Sequence, residues 1–137
     1  MKSRTIFVDT NIFLRYLTGD DPEKFERCKN LFKRALEKKV MLLTSGMVIA
    51  ELIWTLGSFY KVPKDEIIEK VSVIINTANL KIPDKKLISE TLTLYSQKNI
   101  DYIDAYNSVF MSDNDCDQIF SYDKDFDRIE NIKRLEP

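Results

Sequence analysis

Short apolar runs alternate with longer amphipathic stretches from one end of this chain to the other, and that alternation constrains the fold more than any other feature. Ile6 to Val8, Val40 to Leu43, Leu80 to Ile82, Gln118 to Ser121 and Ile132 to Leu135 each have the length and composition of a strand, the first being read as a buried one. Between them lie helical patterns. Asn11 to Leu17 follows a helical rhythm that stops at Thr18-Gly19. "GDDPEKFERC" carries a helix start, with Asp20 or Asp21 as cap, Pro22 at the first helical position and Glu23 at the positive end of the dipole. Phe25, Cys28, Leu31, Phe32, Ala35 and Leu36 then recur at threes and fours and form one apolar face.

Thr44 and Ser45 are placed to cap a helix reaching about Phe59. Pro63 to Glu66 open another that ends near Ile75 or Asn76. Asp84 precedes a helix to Gln97, a further helix spans Tyr102 to Ser112, and a short turn or helix covers Asp125 to Arg128. Strand–helix alternation of this kind predicts an α/β domain with a central parallel sheet of four to five strands flanked by helices on both faces. No repeat, low-complexity segment or linker interrupts residues 1–137, so a single domain is expected.

Composition narrows the chemistry. The 137 residues include no histidine, which removes the usual general base of serine and cysteine hydrolases and the common histidine-bearing zinc sites. Cys28 and Cys116 lack metal-ligand spacing and are read as two reduced thiols of a cytoplasmic protein. Twenty-one Lys and Arg against 22 Asp and Glu leave a net charge of −1, which argues against a passive nucleic-acid coat but not against an enzyme with an acidic site. No apolar run is long enough to span a membrane, and "MKSRTIFVD" has no signal-like apolar segment and is read as leading straight into the fold.

Four acids then stand out against their surroundings. Asp9 ends the first strand, Glu51 is the one charge in "MVIAELIWTL", Asp104 lies inside "YIDAYNSVF", and Asp123 follows "QIFSY". Each falls where the pattern predicts burial or a sheet edge, and an unpaired buried carboxylate costs several kcal/mol. The carboxyl ends of parallel strands line the usual ligand crevice of such folds. Acids gathered there repel one another until a proton or a divalent cation intervenes. Oxygen-only ligands favour Mg²⁺ or Mn²⁺, and such a site suits hydrolysis of phosphate esters.

In this order and spacing, "FVDTNIFLRYL", "TSGMVIAELIWTL", "IDYIDAYNSVF" and "IFSYDKDF" resemble the signature segments of PIN-domain ribonucleases, most closely the VapC-type toxins of toxin–antitoxin pairs. The resemblance runs from Ile6 to about Phe126. It implies a PIN-like fold and a catalytic, metal-binding set of Asp9, Glu51, Asp104 and Asp123, with Asp125 as the alternative fourth acid. It gives supporting roles to Asn11, which orients the first acid, and to Asp101, which holds a water or caps its helix. Ser121 stands where the family usually has threonine.

The activity so implied is metal-dependent endoribonuclease cleavage, with a water activated at Mg²⁺ or Mn²⁺ attacking in line to leave a 5′-phosphate and a 3′-hydroxyl. The implied partners are RNA, a cognate antitoxin and a second copy of the chain, with no membrane. Two further readings belong to the same fold: a housekeeping nuclease for RNA processing or decay, and an inactive PIN-like scaffold. An aspartyl-nucleophile phosphatase would want an acid where Asn11 stands.

Other features read more plainly. "DNDCD" lacks the glycine and closing glutamate of a calcium loop and is read as solvated. The basic face of Lys24 to Lys39 is read as a solvated surface, Arg15 as either a phosphate contact or an ion-pair partner, and Trp54, Phe59 and Tyr60 as core or dimer-face residues.

Overall fold

The computed structural model describes residues 4–137, so Met1 to Ser3, the start of the segment read as leading into the fold, lie outside the described residues. The elements follow the predicted order: β1 (Thr5–Phe7), α1 (Thr10–Thr18), α2 (Pro22–Leu36), β2 (Met41–Leu43), α3 (Gly46–Ser58), α4 (Lys64–Ile75), β3 (Leu80–Lys81), α5 (Lys85–Gln97), α6 (Tyr102–Asp113), β4 (Gln118–Phe120), a 3-10 helix (Lys124–Arg128) and β5 (Lys133–Leu135). The chain forms two compact units, one ending at Lys85 and the other running from Lys86 to Pro137. All five expected strands are present and every pairing is parallel.

In the first unit the strand order is β1-β2-β3, with Thr5, Ile6 and Phe7 opposite Met41, Leu42 and Leu43. Local chemistry explains the helix ends. Asp21 Oδ1 accepts the Lys24 N–H at 3.1 Å with Pro22 at the first helical position, and Ser45 Oγ accepts the Val48 N–H at 3.3 Å. Each such cap is worth about 1 kcal/mol. Helix α1 stops at Gly19, whose φ of 62° is left-handed and whose N–H donates to the Arg15 carbonyl at 3.1 Å. A Cβ at Gly19 would meet nothing within 4 Å, so the conformation rather than crowding favours glycine there.

Phe13, Leu42, Ile49, Leu52, Leu56, Val71 and Ile74 have no exposed surface and form the core of this unit. The Phe32 ring stacks on Phe13 at 5.9 Å and meets Tyr16 edge-on at 4.8 Å, which docks α2 on α1.

One expectation is corrected in this unit and another is narrowed. The first strand is not buried along its length: Val8 is buried, but Ile6 and Phe7 are 49% and 52% exposed, because β1 is the edge strand of its three-stranded sheet. Of the two readings of Trp54 and Phe59 the core is excluded: they are 68% and 73% exposed, Trp54 on the side of α3 opposite the buried Ile49, Leu52 and Leu56 and Phe59 at the C-cap of that helix. Tyr60 is half-buried and donates its hydroxyl proton to Asp20 Oδ2 at 3.0 Å. The same Asp20 carboxylate receives Arg15 Nη1 at 2.9 Å, so of the two readings of Arg15 the ion pair is the one present.

In the second unit β4 pairs with β5, Gln118, Ile119 and Phe120 standing opposite Lys133, Arg134 and Leu135. Ile100, Ala105, Phe126 and Ile129 form a buried cluster against which Leu94, Tyr95, Ile119 and Ile132 pack. Arg134 braces the C-terminal end of this unit through Asp127, Glu136 and the Ser121 carbonyl. Cys28 is buried, Cys116 is exposed, and both are free thiols. No helix among the described residues is long and apolar enough to cross a membrane.

Candidate metal centre

Helix α6 starts at Tyr102, which puts Asp104 in its first turn, where the helix dipole favours an anion. Asp104 is half-buried. The loop after β4 brings two more acids to it: one carboxylate oxygen each from Asp104, Asp123 and Asp125 lie within 4.8 Å of one another. Their charges leave a mark on Asp104, whose carboxyl is pushed up to about 6. Burial is the largest cause, followed by the charges of Asp123 and Asp101, a hydrogen bond with Asp123 and the charge of Asp125.

The two loop acids are held differently. Asp123 is exposed and caps the 3-10 helix, its Oδ1 accepting the Asp125 N–H at 2.9 Å. Its own N–H donates to Ser121 Oγ at 3.0 Å, so the Ser121 hydroxyl fixes the backbone that carries Asp123. Asp125 is ion-paired to Arg128, which also donates to the Asn99 carbonyl at 3.1 Å. Asp125 is therefore partly neutralised by a cation and Asp123 is not. Asp101 occupies the N-cap position of α6 without a side-chain cap bond and is exposed; it acts on Asp104 through its charge.

The first unit holds the other two sequence-predicted acids, and neither is buried as the apolar surroundings suggested. Asp9 is exposed at the N-cap of α1, where its Oδ1 accepts the Thr10 N–H at 2.8 Å. The desolvation cost is avoided because the strand ends at Phe7 and the chain turns into a helix at once. Glu51 is exposed on the same side of α3 as Met47 and Trp54, positions i, i+4 and i+7 of one helix face, so an apolar neighbourhood in sequence becomes an outward stripe in space. Asn11 is exposed in the first turn of α1, and the hydrogen bond to Asp9 comes from the Thr10 backbone instead. That donor escaped the sequence because any residue at position 10 would supply it.

Oxygen donors only, three carboxylates converging and one of them with its proton affinity raised by burial and by its acidic neighbours: this set fits a hard divalent cation. A cavity of about 600 Å³ in the same unit, bordered by Leu94, Val109 and Ile132, includes none of the three acids.

The chain is 28% identical over 130 residues, 95% of each chain, to the VapC ribonuclease of Aquifex aeolicus (strain VF5). Among solved structures it is similar to VapC20 of Mycobacterium tuberculosis, a Sarcin-Ricin loop cleaving toxin, at 17% identity over 89% of this chain and 92% of that one, with a TM-score of 0.41. It is likewise similar to VapBC2 from Rickettsia felis, bound to a DNA fragment from their promoter, at 17% identity over 97% and 98% of the two chains, with a TM-score of 0.42. The PIN-domain family model matches residues 6–132, nearly the whole chain and both of its units. This chain belongs to the PIN-domain family.

Proposed function

We propose that this protein is a divalent-metal-dependent endoribonuclease and the toxin of a toxin–antitoxin pair. The observation that carries the reading is the end-to-end match to a VapC ribonuclease, 95% of each chain, in a family member whose Asp104, Asp123 and Asp125 converge. Asp9, Glu51, Asp104 and Asp123 are the metal-binding and catalytic acids in this proposal, and Asp125 is the alternative fourth. Asp125 is the weaker candidate because Arg128 already satisfies it. Mg²⁺ or Mn²⁺, when bound, supplies an activated water and stabilises charge on the attacked phosphate.

The chain's own residues set up that chemistry. Asp104, whose proton affinity is raised by burial and then by the charges of Asp123, Asp101 and Asp125, would hold a cation only as its carboxylate, so a proton and a metal would compete for it. Ser121 holds the backbone of Asp123, and the Thr10 N–H occupies one oxygen of Asp9. In this reading, as the resemblance to PIN-domain ribonucleases implies, water rather than the 2′-hydroxyl is the nucleophile and the products are a 5′-phosphate and a 3′-hydroxyl; the absence of histidine agrees with that. The partners in this reading are RNA, a cognate antitoxin and a second copy of the chain, in the cytoplasm. The family match across residues 6–132 supports treating residues 1–137 as one functional domain.

The test is cleavage of total RNA by the purified protein with Mg²⁺, Mn²⁺ or a chelator, followed by mapping of the ends. Metal-dependent 5′-phosphate ends, lost in Asp104→Asn, are expected. Cleavage that survives chelation, or that leaves 2′,3′-cyclic phosphates, overturns the reading.

A further inference from the structure

Thr10, Thr44, Thr91 and Ser108 are the polar residues buried among the described residues, and the Thr44 hydroxyl is used unlike those of Thr91 and Ser108. Thr91 and Ser108 return their hydroxyl protons to the carbonyl four residues back in their own helices, at 2.7 Å each. Thr44, 1% exposed, instead crosses 36 positions of sequence to donate to the Val8 carbonyl at 2.9 Å.

The place of that bond matters. The parallel ladder of β1 and β2 ends with the Val8 N–H donating to the Leu43 carbonyl at 2.8 Å. Beyond Leu43 the chain leaves the sheet, since Ser45 already caps α3. No strand N–H then remains for the Val8 carbonyl, and the Thr44 hydroxyl takes that position. The Thr44 N–H meanwhile donates to the Lys81 carbonyl at 3.0 Å, so one residue joins the carboxyl ends of all three strands.

The Val8 carbonyl belongs to the same rigid peptide plane as the Asp9 nitrogen. Holding that carbonyl fixes the nitrogen and Cα of Asp9, the point from which its side chain leaves the strand end. Thr44 also stands two residues before Gly46, where the helix that carries Glu51 begins. A second link between α1 and α3, the Tyr60 hydroxyl on Asp20, lies past the far end of α1 and is more exposed.

We propose that Thr44 is a positioning residue for metal binding: its buried hydroxyl, bonded to the Val8 carbonyl, locks the peptide of Asp9 to the start of the helix bearing Glu51. This rests on the proposed metal-binding roles of Asp9 and Glu51. Groups that orient metal ligands from behind typically change metal affinity by 10–100-fold, and a role exerted through the backbone belongs at the lower end.

The test is Mn²⁺ titration by calorimetry of the full chain, with circular dichroism and thermal unfolding on every variant. Thr44→Val keeps the branched shape and removes the donor; about a tenfold loss of Mn²⁺ affinity with unchanged helix content is expected. Thr44→Ser restores the donor and most of the affinity. Tyr60→Phe, which removes the far link, leaves Mn²⁺ affinity unchanged, so a general loosening of the two helices does not mimic the effect. Should Thr44→Val fail to fold, Thr44→Cys, a weaker donor, takes its place. Wild-type affinity in Thr44→Val, failure of Thr44→Ser to restore it, or an equal loss in Tyr60→Phe overturns the inference. Asp9→Asn and Glu51→Gln are titrated alongside. If both bind Mn²⁺ like the wild type, the site assignment falls and takes the inference with it; if both lose binding while Thr44→Val does not, the inference alone falls.

Discussion

The acids of the first unit and those of the second have similar sequence surroundings and different physical situations. Asp9 and Glu51 are each exposed, and Asp9 is satisfied by a local backbone donor. Asp104, Asp123 and Asp125 crowd together, and burial first and that crowding second raise the proton affinity of Asp104. The wider charge follows the same division. Up to Lys85 the chain has 15 basic and 11 acidic residues, a net of +4; from Lys86 it has 6 and 11, a net of −5. A solitary carboxylate at a helix N-terminus supports the fold by itself. A cluster of carboxylates is a liability until a proton, a cation or an arginine relieves it. Arg128 relieves one of the three.

The sharpest way to break this contrast is to remove Asp104. Asp104→Asn is expected to lower RNA cleavage by on the order of 10³-fold, the scale of several kcal/mol lost from metal-assisted chemistry. The folded state should survive and even gain stability near neutral pH, because a strained charge has gone. Wild-type cleavage rates in a folded Asp104→Asn protein would contradict the assignment.

Acidity sharpens the contrast next. The folded carboxyl of Asp104 titrates near 6 rather than at its ordinary 3.8, so between those values the folded chain binds more protons than the unfolded one. By linkage, the Asp104 contribution to metal-free stability is greatest below about 4 and declines as the pH rises to about 6. Metal affinity moves the other way, weakening as the pH falls through about 6 because protons compete for Asp104. Calorimetric Mn²⁺ titrations at several pH values check this, and a pH-independent affinity would count against the cluster as the site.

Smaller effects separate the loop acids. Asp123→Asn should weaken Mn²⁺ binding more than Asp125→Asn, since Asp125 shares its charge with Arg128. The reverse order would make Asp125 the fourth acid. Ser121→Ala frees the Asp123 backbone and should cost only a few-fold in Mn²⁺ affinity, below the usual range for groups that orient ligands. Least of all, Asp9→Ala removes the cap of α1 and should cost about 1 kcal/mol in chemical denaturation, separate from any effect on metal.

Much of the architecture was legible because it is written locally. Asp21-Pro22 and Ser45 announce helix starts, Gly19 a helix end, and the alternating apolar runs fall on strands within a residue or two. Each of these depends on neighbours within four positions of the chain. The acids were legible as anomalies, and Asp104, Asp123 and Asp125 do converge. Their burial was not legible. An apolar context in sequence does not say which side of a helix faces out, so Glu51 read as buried and lies exposed beside Met47 and Trp54.

The sequence by itself determined the order and type of the elements, the oxygen-only chemistry of a chain without histidine, and the family to which its four acidic segments point. Tertiary structure alone decided which carboxylates meet, which one Arg128 neutralises, and that Thr44 spends its hydroxyl on Val8, 36 positions away. The reason is range. Caps, turns and periodicity are fixed by contacts a few residues apart, whereas the partner of a buried hydroxyl or a crowded acid exists only once strands and helices distant in sequence have packed.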